Sequence, residues 1–154
     1  MAIINGGSGD DIRYGGNAVD TMSGKGGDDV LFGRDGGDSL FGGDGSDFLR
    51  GEGGNDTLHG DAGGDRLYGG SGSDTVGVSA AQDGAEVAVA LGMDTGAFDT
   101  DALVSIENAV GGDDNDTLAG SAGANALWGG DGYDSIDGDA GNDRVWAGSD
   151  DDFA

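Results

Sequence analysis

From Gly6 onward the chain repeats every nine residues, and the sixth position of the first eight copies is always aspartate. The copies read GGSGDDIRY, GGNAVDTMS, GKGGDDVLF, GRDGGDSLF, GGDGSDFLR, GEGGNDTLH, GDAGGDRLY and GGSGSDTVG. Their sixth-position residues are Asp11, Asp20, Asp29, Asp38, Asp47, Asp56, Asp65 and Asp74. A short repeat cannot bury a core alone, so it must stack on its neighbours. A ligand-capable side chain at a fixed place in every copy then predicts a stacked array of metal sites. Without cations such an array repels itself. Filled, it is a rigid rod.

Each repeat divides in two. Positions one to six are glycine-rich and end in aspartate. Positions seven to nine read as a short strand with one apolar residue in the middle: Met22, Leu31, Leu40, Leu49, Leu58, Leu67 and Val76. Strand alternation sends that residue inward and its two neighbours outward. Arg13 breaks the pattern in the first copy, as terminal repeats do. Glycine at position one throughout, and at position four in all but Ala18, allows close backbone approach and left-handed dihedrals. Two repeats make one coil of eighteen residues, stacked through parallel pairing about 4.8 Å apart.

Odd and even repeats therefore face opposite sides, giving two carboxylate ladders. Asp11, Asp29, Asp47 and Asp65 form one; Asp20, Asp38, Asp56 and Asp74 form the other. A carboxylate at every coil is untenable without cations between. Carboxylate and carbonyl oxygens, with no sulfur or imidazole, select a hard cation. A loop cage rich in oxygens and poor in octahedral rigidity favours calcium over magnesium.

Composition agrees. The chain has 154 residues, 31 acidic and 6 basic, for a formal charge of -25. Only Glu52, Glu86 and Glu107 are glutamates, and aspartate is the acid that suits tight loops. The 37 glycines with no proline would suggest disorder were they not periodic. The charge disfavours nucleic acid and anionic membranes as partners. There is no cysteine and hence no disulfide staple. Met1-Ala-Ile-Ile-Asn-Gly lacks the features of a cleavable secretory signal, and no apolar run reaches membrane-spanning length.

The repeat resembles the RTX nonapeptide G-G-x-G-x-D-x-U-x, strongly over 6–77 and more loosely over 111–154. The resemblance implies an all-β, right-handed parallel β-roll, a β-solenoid with two nonapeptides per coil. It implies calcium between the loops of adjacent coils, held by sixth-position aspartates and loop carbonyls. It further implies disorder in a calcium-poor cytosol, type I secretion and folding outside the cell.

Three segments are expected: a first repeat block over 1–77, an intervening strand and loop segment over 78–110, and a second block over 111–154. In the intervening segment Val87, Val89 and Leu91 alternate as a strand does. Leu103-Val-Ser-Ile-Glu-Asn-Ala-Val is a second strand-like run, and residues 92–101 between them read as a loop. The segment either widens or offsets the coil while continuing the solenoid, or carries a loop that meets a partner. The second block reads GGDDNDTLA, GSAGANALW, GGDGYDSID, GDAGNDRVW and a truncated AGSDDDFA. Its sixth-position residues are Asp116, Asn125, Asp134, Asp143 and Asp152. Asn125 loses the charge and predicts a weaker or empty site. Asp114 and Asp150 displace the fourth-position glycine. Six same-side pairs follow for the first block and about three for the second, as upper bounds.

The outward positions differ between faces. The odd face carries Ile12, Tyr14, Val30, Phe32, Phe48, Arg50, Arg66 and Tyr68. The even face carries Thr21, Ser23, Ser39, Phe41, Thr57, His59 and Thr75. Trp128 and Trp146 lie one coil apart beside Arg144. These aromatics either stack along the ladder or form a surface for self-association or a ligand. The main expectation is a non-enzymatic, secreted calcium-binding β-roll serving as a folding, spacer or assembly module. The alternative is a polysaccharide-binding accessory module of a secreted enzyme, like the repeat modules of alginate epimerases. His59 is expected to face solvent, and it has no histidine or cysteine companion for a zinc site. The threonine row is too short for ice binding. The end, Asp151-Asp152-Phe153-Ala154, is compatible with a type I signal and equally with a cut repeat array.

Overall fold

The computed structural model describes residues 1–77, 88–90, 102–104, 107–111, 116–149 and 153. Among them there are strands and turns and no helix. The strands in chain order are β1 (Ile3–Asn5), β2 (Ile12–Tyr14), β3 (Thr21–Gly26), β4 (Val30–Asp35), β5 (Ser39–Asp44), β6 (Phe48–Gly53), β7 (Thr57–Ala62) and β8 (Arg66–Ser71). They continue with β9 (Thr75–Gly77), β10 (Ala88–Ala90), β11 (Ala102–Val104), β12 (Asn108–Val110), β13 (Thr117–Ala119), β14 (Ala126–Asp131), β15 (Ser135–Asp137) and β16 (Arg144–Ser149).

Every pairing is parallel, and alternate strands share a sheet. One sheet runs β1-β3-β5-β7-β9-β12-β14-β16 along the whole solenoid. The other side is split into β2-β4-β6-β8-β11 and β10-β13-β15. Thr21 pairs with Ser39 and Ser39 with Thr57, so the eighteen-residue coil holds. The chain is a parallel β-roll.

The eighth-position residues are the core. Met22, Leu31, Leu40, Leu49, Leu58, Leu67, Leu118 and Leu127 are fully or almost fully buried, as are Val76 and Ala109. The strand triplets keep their flanking side chains half-buried or exposed, as alternation requires. The strands are longer than the three residues expected. Half of them run six residues and turn the corner into the next loop, with the pairing skipping position one: Ser23 pairs with Phe41 and Lys25 with Gly43, while Gly24 is passed over.

Position one and position four use glycine for different reasons. A Cβ on Gly24 would collide with the Asp29 carboxylate, although Gly24 has an ordinary φ. Gly54, at position four, has φ 132°, and a Cβ there would overlap the Gly36 carbonyl one coil earlier. Position two is left-handed as well, yet it holds Lys25, Arg34, Glu52 and Asp61, at φ between 68° and 83°. That strain, on the order of 1–2 kcal/mol per residue, was not visible in the pattern of glycines.

The interruption joins the two blocks through unequal steps. On the continuous sheet Thr75 pairs with Asn108, 33 residues on where 18 is the rule. On the split side β11 stacks on β8, whereas β10 pairs with β13. The run from Leu103 to Val110 is therefore not one strand: β11 and β12 belong to different sheets. Of the alternating segment before it, Ala88–Ala90 is a strand; Val87, Leu91 and the loop expected over 92–101 lie outside the described residues.

The glycine geometry yields a paired prediction. Gly54→Ala should lower stability by at least about 2 kcal/mol, from left-handed strain plus carbonyl overlap. Gly64→Ala meets nothing within 4 Å and should stay within about 0.5 kcal/mol of the parent. Urea unfolding of both variants in calcium checks this. Equal effects would refute the steric account.

Candidate metal centre

The sixth-position aspartate closes each loop and starts the next strand. Its carbonyl joins the strand ladder: Asp29 O accepts from Phe48 N at 2.8 Å. Its N–H points away from that ladder and needs another acceptor. The aspartate one coil later supplies it. Asp11 N donates to Asp29 Oδ1, Asp29 N to Asp47 Oδ1 and Asp47 N to Asp65 Oδ1, each at 2.7 Å. On the other side Asp20 N donates to Asp38 Oδ1, Asp38 N to Asp56 Oδ1 and Asp56 N to Asp74 Oδ1, at 2.7 to 2.9 Å. The two ladders read from the period are both present.

The second carboxylate oxygen has a different fate. At Asp29, Asp38, Asp47, Asp56 and Asp74, Oδ2 is buried and accepts no hydrogen bond. At Asp29, Asp38, Asp47 and Asp56 it points toward the position-one glycine of its own repeat, where the position-one carbonyl of the next coil also converges. A Cβ placed on Gly33 would lie 2.5 Å from Asp38 Oδ2 and 2.9 Å from Gly51 O. A Cβ on Gly51 would meet Asp56 Oδ2 and lie 2.7 Å from Gly69 O. A buried unsatisfied polar atom costs about 1–3 kcal/mol, more when charged. Several together rival a whole domain's stability of about 5–15 kcal/mol. A cation beside these oxygens removes that cost.

The donor chemistry fits calcium. Among the described residues no three acidic, histidine or cysteine side chains gather at one point. A cation held here by the Asp Oδ2 atoms would need main-chain carbonyls, such as Gly51 O and Gly69 O, as further oxygen donors, as a large, many-oxygen ion accepts. Bound, it supplies the positive charge that the buried carboxylates lack. The chain's own residues supply orientation: Oδ1 is fixed on a backbone N–H, so Oδ2 is held facing the loop.

The first coil differs. Asp11 Oδ1 lies 2.8 Å from Arg13 Nη2, and its Oδ2 accepts from Gly7 N at 2.6 Å. Arg13, out of pattern in the sequence, is thus the counter-ion of the first aspartate. Asp20 accepts from Gly16 N at 2.7 Å and Ala2 N at 2.5 Å. Arg34 donates to Gly15 O at 3.1 Å.

In the second block Asp116 N donates to Asp134 Oδ1 at 2.9 Å, bringing that expected pair together. Asn125 N donates to Asp143 Oδ1 at 2.9 Å. Asn125 closes its own loop, Oδ1 accepting from Ser121 N at 2.7 Å, and its Nδ2 donates to Glu107 O. Asp114, Asp150 and Asp152 lie outside the described residues.

Two features escaped the sequence reading. Position-five side chains form a second, exposed ladder in the reverse sense: Asp28 N donates to Asp10 Oδ1, Ser46 N to Asp28 Oδ1 and Ser73 N to Asn55 Oδ1. The recurrent Asp, Asn and Ser at that position were its signal. Glu107 also stands in the sixth position of the residues before Gly111, and its Oε2 accepts from Asp74 N at 2.8 Å.

The outward aromatics stack along the rod. Tyr14 lies on Phe32 at 5.1 Å and Trp128 on Trp146 at 5.7 Å between ring centres, while Phe48 meets Tyr68 at 5.1 Å with the rings tilted by 34°. His59 does not simply face solvent. It stacks on Phe41 at 4.7 Å, the rings nearly parallel, and fills the space beside Gly77.

Burial raises the Asp47 and Asp56 carboxyls from 3.8 to about 6, opposed by the N–H of Asp29 or Asp38 and reinforced by neighbouring ladder charges. Burial also raises Asp38 and Asp74. Asp20 is lowered, by the Gly16 and Ala2 N–H groups. With a folded pKa above the unfolded one, the metal-free folded form binds more protons. Its stability then falls as pH rises from about 4 through 6. In calcium-free buffer, β structure by circular dichroism should increase from pH 7 to pH 5. At pH 5 protons also compete for the carboxylates, so more calcium should be needed to saturate. Spectra and midpoints independent of pH would contradict the ladder electrostatics.

Comparison with curated proteins gives no match. The family model for the RTX calcium-binding nonapeptide repeat matches four times, over residues 14–49, 41–76, 110–144 and 120–154. Those spans cover more than half of the chain, and the chain belongs to the RTX calcium-binding nonapeptide repeat family.

Proposed function

We propose that this chain is a non-enzymatic, secreted calcium-binding β-roll whose folding is driven by extracellular calcium. One observation carries the reading: buried Oδ2 atoms without hydrogen bonds, those of Asp29, Asp38, Asp47 and Asp56 facing a converging loop carbonyl. In the unfolded chain these sites do not exist, so binding free energy becomes folding free energy. A charge of -25 holds the calcium-free chain open. Calcium in the medium outside a cell closes it. The rod then serves as a folding, spacer or assembly module, after export by a type I route.

Ions fill first along Asp29, Asp47 and Asp65, along Asp38, Asp56 and Asp74, and between Asp116 and Asp134. Asp143 and Asp152 complete the set toward the end of the chain. Asp11 and Asp20 already hold donors on both oxygens and contribute least.

Far-UV circular dichroism tests the reading directly. Chelator-treated protein should change cooperatively from coil to β on titration with calcium, and magnesium should not substitute. The double variant Asp47→Asn, Asp65→Asn should raise the calcium midpoint, and Asp11→Asn should leave it near the parent value. A chain already β-structured in chelator and indifferent to calcium would sink the proposal.

A second reading rests on Trp128 and Trp146, which are 51% and 45% exposed and lie beside Arg144. Such a ladder presents aromatic surface suited to a sugar ring. Retardation on polysaccharide gels that vanishes in the Trp128→Ala, Trp146→Ala variant would favour an accessory binding module.

A further inference from the structure

The ladder on the continuous side does not stop at the interruption. Asp74 N, which in any earlier coil would donate to the next aspartate, donates to Glu107 Oε2 at 2.8 Å. Glu107 N and Asn108 N return to the Asp74 carbonyl at 3.2 and 3.0 Å. Asn108 Nδ2 donates to the same carbonyl at 2.9 Å. Glu107 O in turn accepts from Ala126 N and from Asn125 Nδ2. Glu107 is thus tied to the last aspartate of the first block and to the first even rung of the second. Its side chain is one carbon longer than aspartate, and the step it spans is 33 residues in place of 18.

Two independent observations at this joint point to a cation. Asp74 is fully buried, and its Oδ2 accepts no hydrogen bond although Oδ1 is held by Asp56 N. Glu107 brings a second carboxylate, anchored through one oxygen onto Asp74's own backbone. Beyond Glu107 the rung is the neutral Asn125, whose oxygen is occupied by Ser121 N. The charge ladder of the first block therefore ends at Glu107.

Resting on the calcium-roll reading above, we infer that Glu107 completes a divalent-cation site with Asp74 and so splices the two repeat blocks into one cooperative unit. The residue lies outside all four matched repeat spans. It is a glutamate in a ladder of aspartates. The joint needs both its charge, to share the cation, and its acceptor, to cap Asp74 N.

Three variants in the full chain separate these roles. Glu107→Gln keeps the acceptor and removes the charge; Glu107→Ala removes both; Glu107→Asp keeps the charge. Bound calcium is counted by native mass spectrometry. Folding is followed by circular dichroism for the whole chain and by tryptophan fluorescence for the second block, which holds both tryptophans. Glu107→Gln should lose about one ion per chain and still fold in calcium. Glu107→Ala should lose that ion and split one transition into two, the tryptophan signal moving to higher calcium. If Glu107→Gln fails to fold where Glu107→Asp folds, the charge requirement stands. An unchanged ion count in Glu107→Gln, or equal failure of Glu107→Gln and Glu107→Asp, overturns the inference. A parent chain with no calcium response would instead overturn the underlying reading.

Discussion

The structure depends on how one backbone N–H is satisfied. At the sixth position the chain leaves the loop and enters the strand, and the N–H there faces neither. Its acceptor in the interior coils is the carboxylate at the equivalent position one coil on, Asp47 for Asp29 and Asp56 for Asp38. Using one oxygen this way forces the carboxylate inside, and its other oxygen is stranded there. Charge burial is therefore a direct product of the stacking rule. The fold needs the aspartate for its backbone and needs a counter-charge for the aspartate.

The ends of the array show the same constraint met by other means. Arg13 and backbone N–H groups engage both oxygens of Asp11; Ala2 and Gly16 engage those of Asp20. Asn125 removes the charge and turns its amide to both neighbours. In each case an internal donor stands where the interior coils leave an oxygen open. An open carboxylate oxygen is thus a feature of Asp29, Asp38, Asp47, Asp56 and Asp74, and not of Asp11 or Asp20.

Much of this was legible because the period does the work. A strict nine-residue spacing fixes the coil, the sheet register and the buried eighth position, so Leu31, Leu49 and Leu67 fall in one file. What escaped was whatever breaks period or identity. Counting aspartates hid Glu107, whose role is set by place in the ladder and not by residue type. The strands at the interruption could not be assigned to sheets, because a 33-residue step obeys no repeat. The charged residues at left-handed position two, Arg34 and Glu52 among them, contradict local preference. They sit where the ladder pairs position two of one coil with position two of the next, Arg34 with Glu52.

The coil register also fixes how this molecule bears load. Its pairings and carboxylate bonds run along the rod axis, each linking residues one coil apart. Tension applied along that axis opens such bonds a rung at a time instead of shearing a whole sheet at once. Each regular coil that peels away releases 18 residues, about 60 Å of extended chain. The rod then lengthens in equal steps, each step opening the strand pairing and the carboxylate bonds of a single coil.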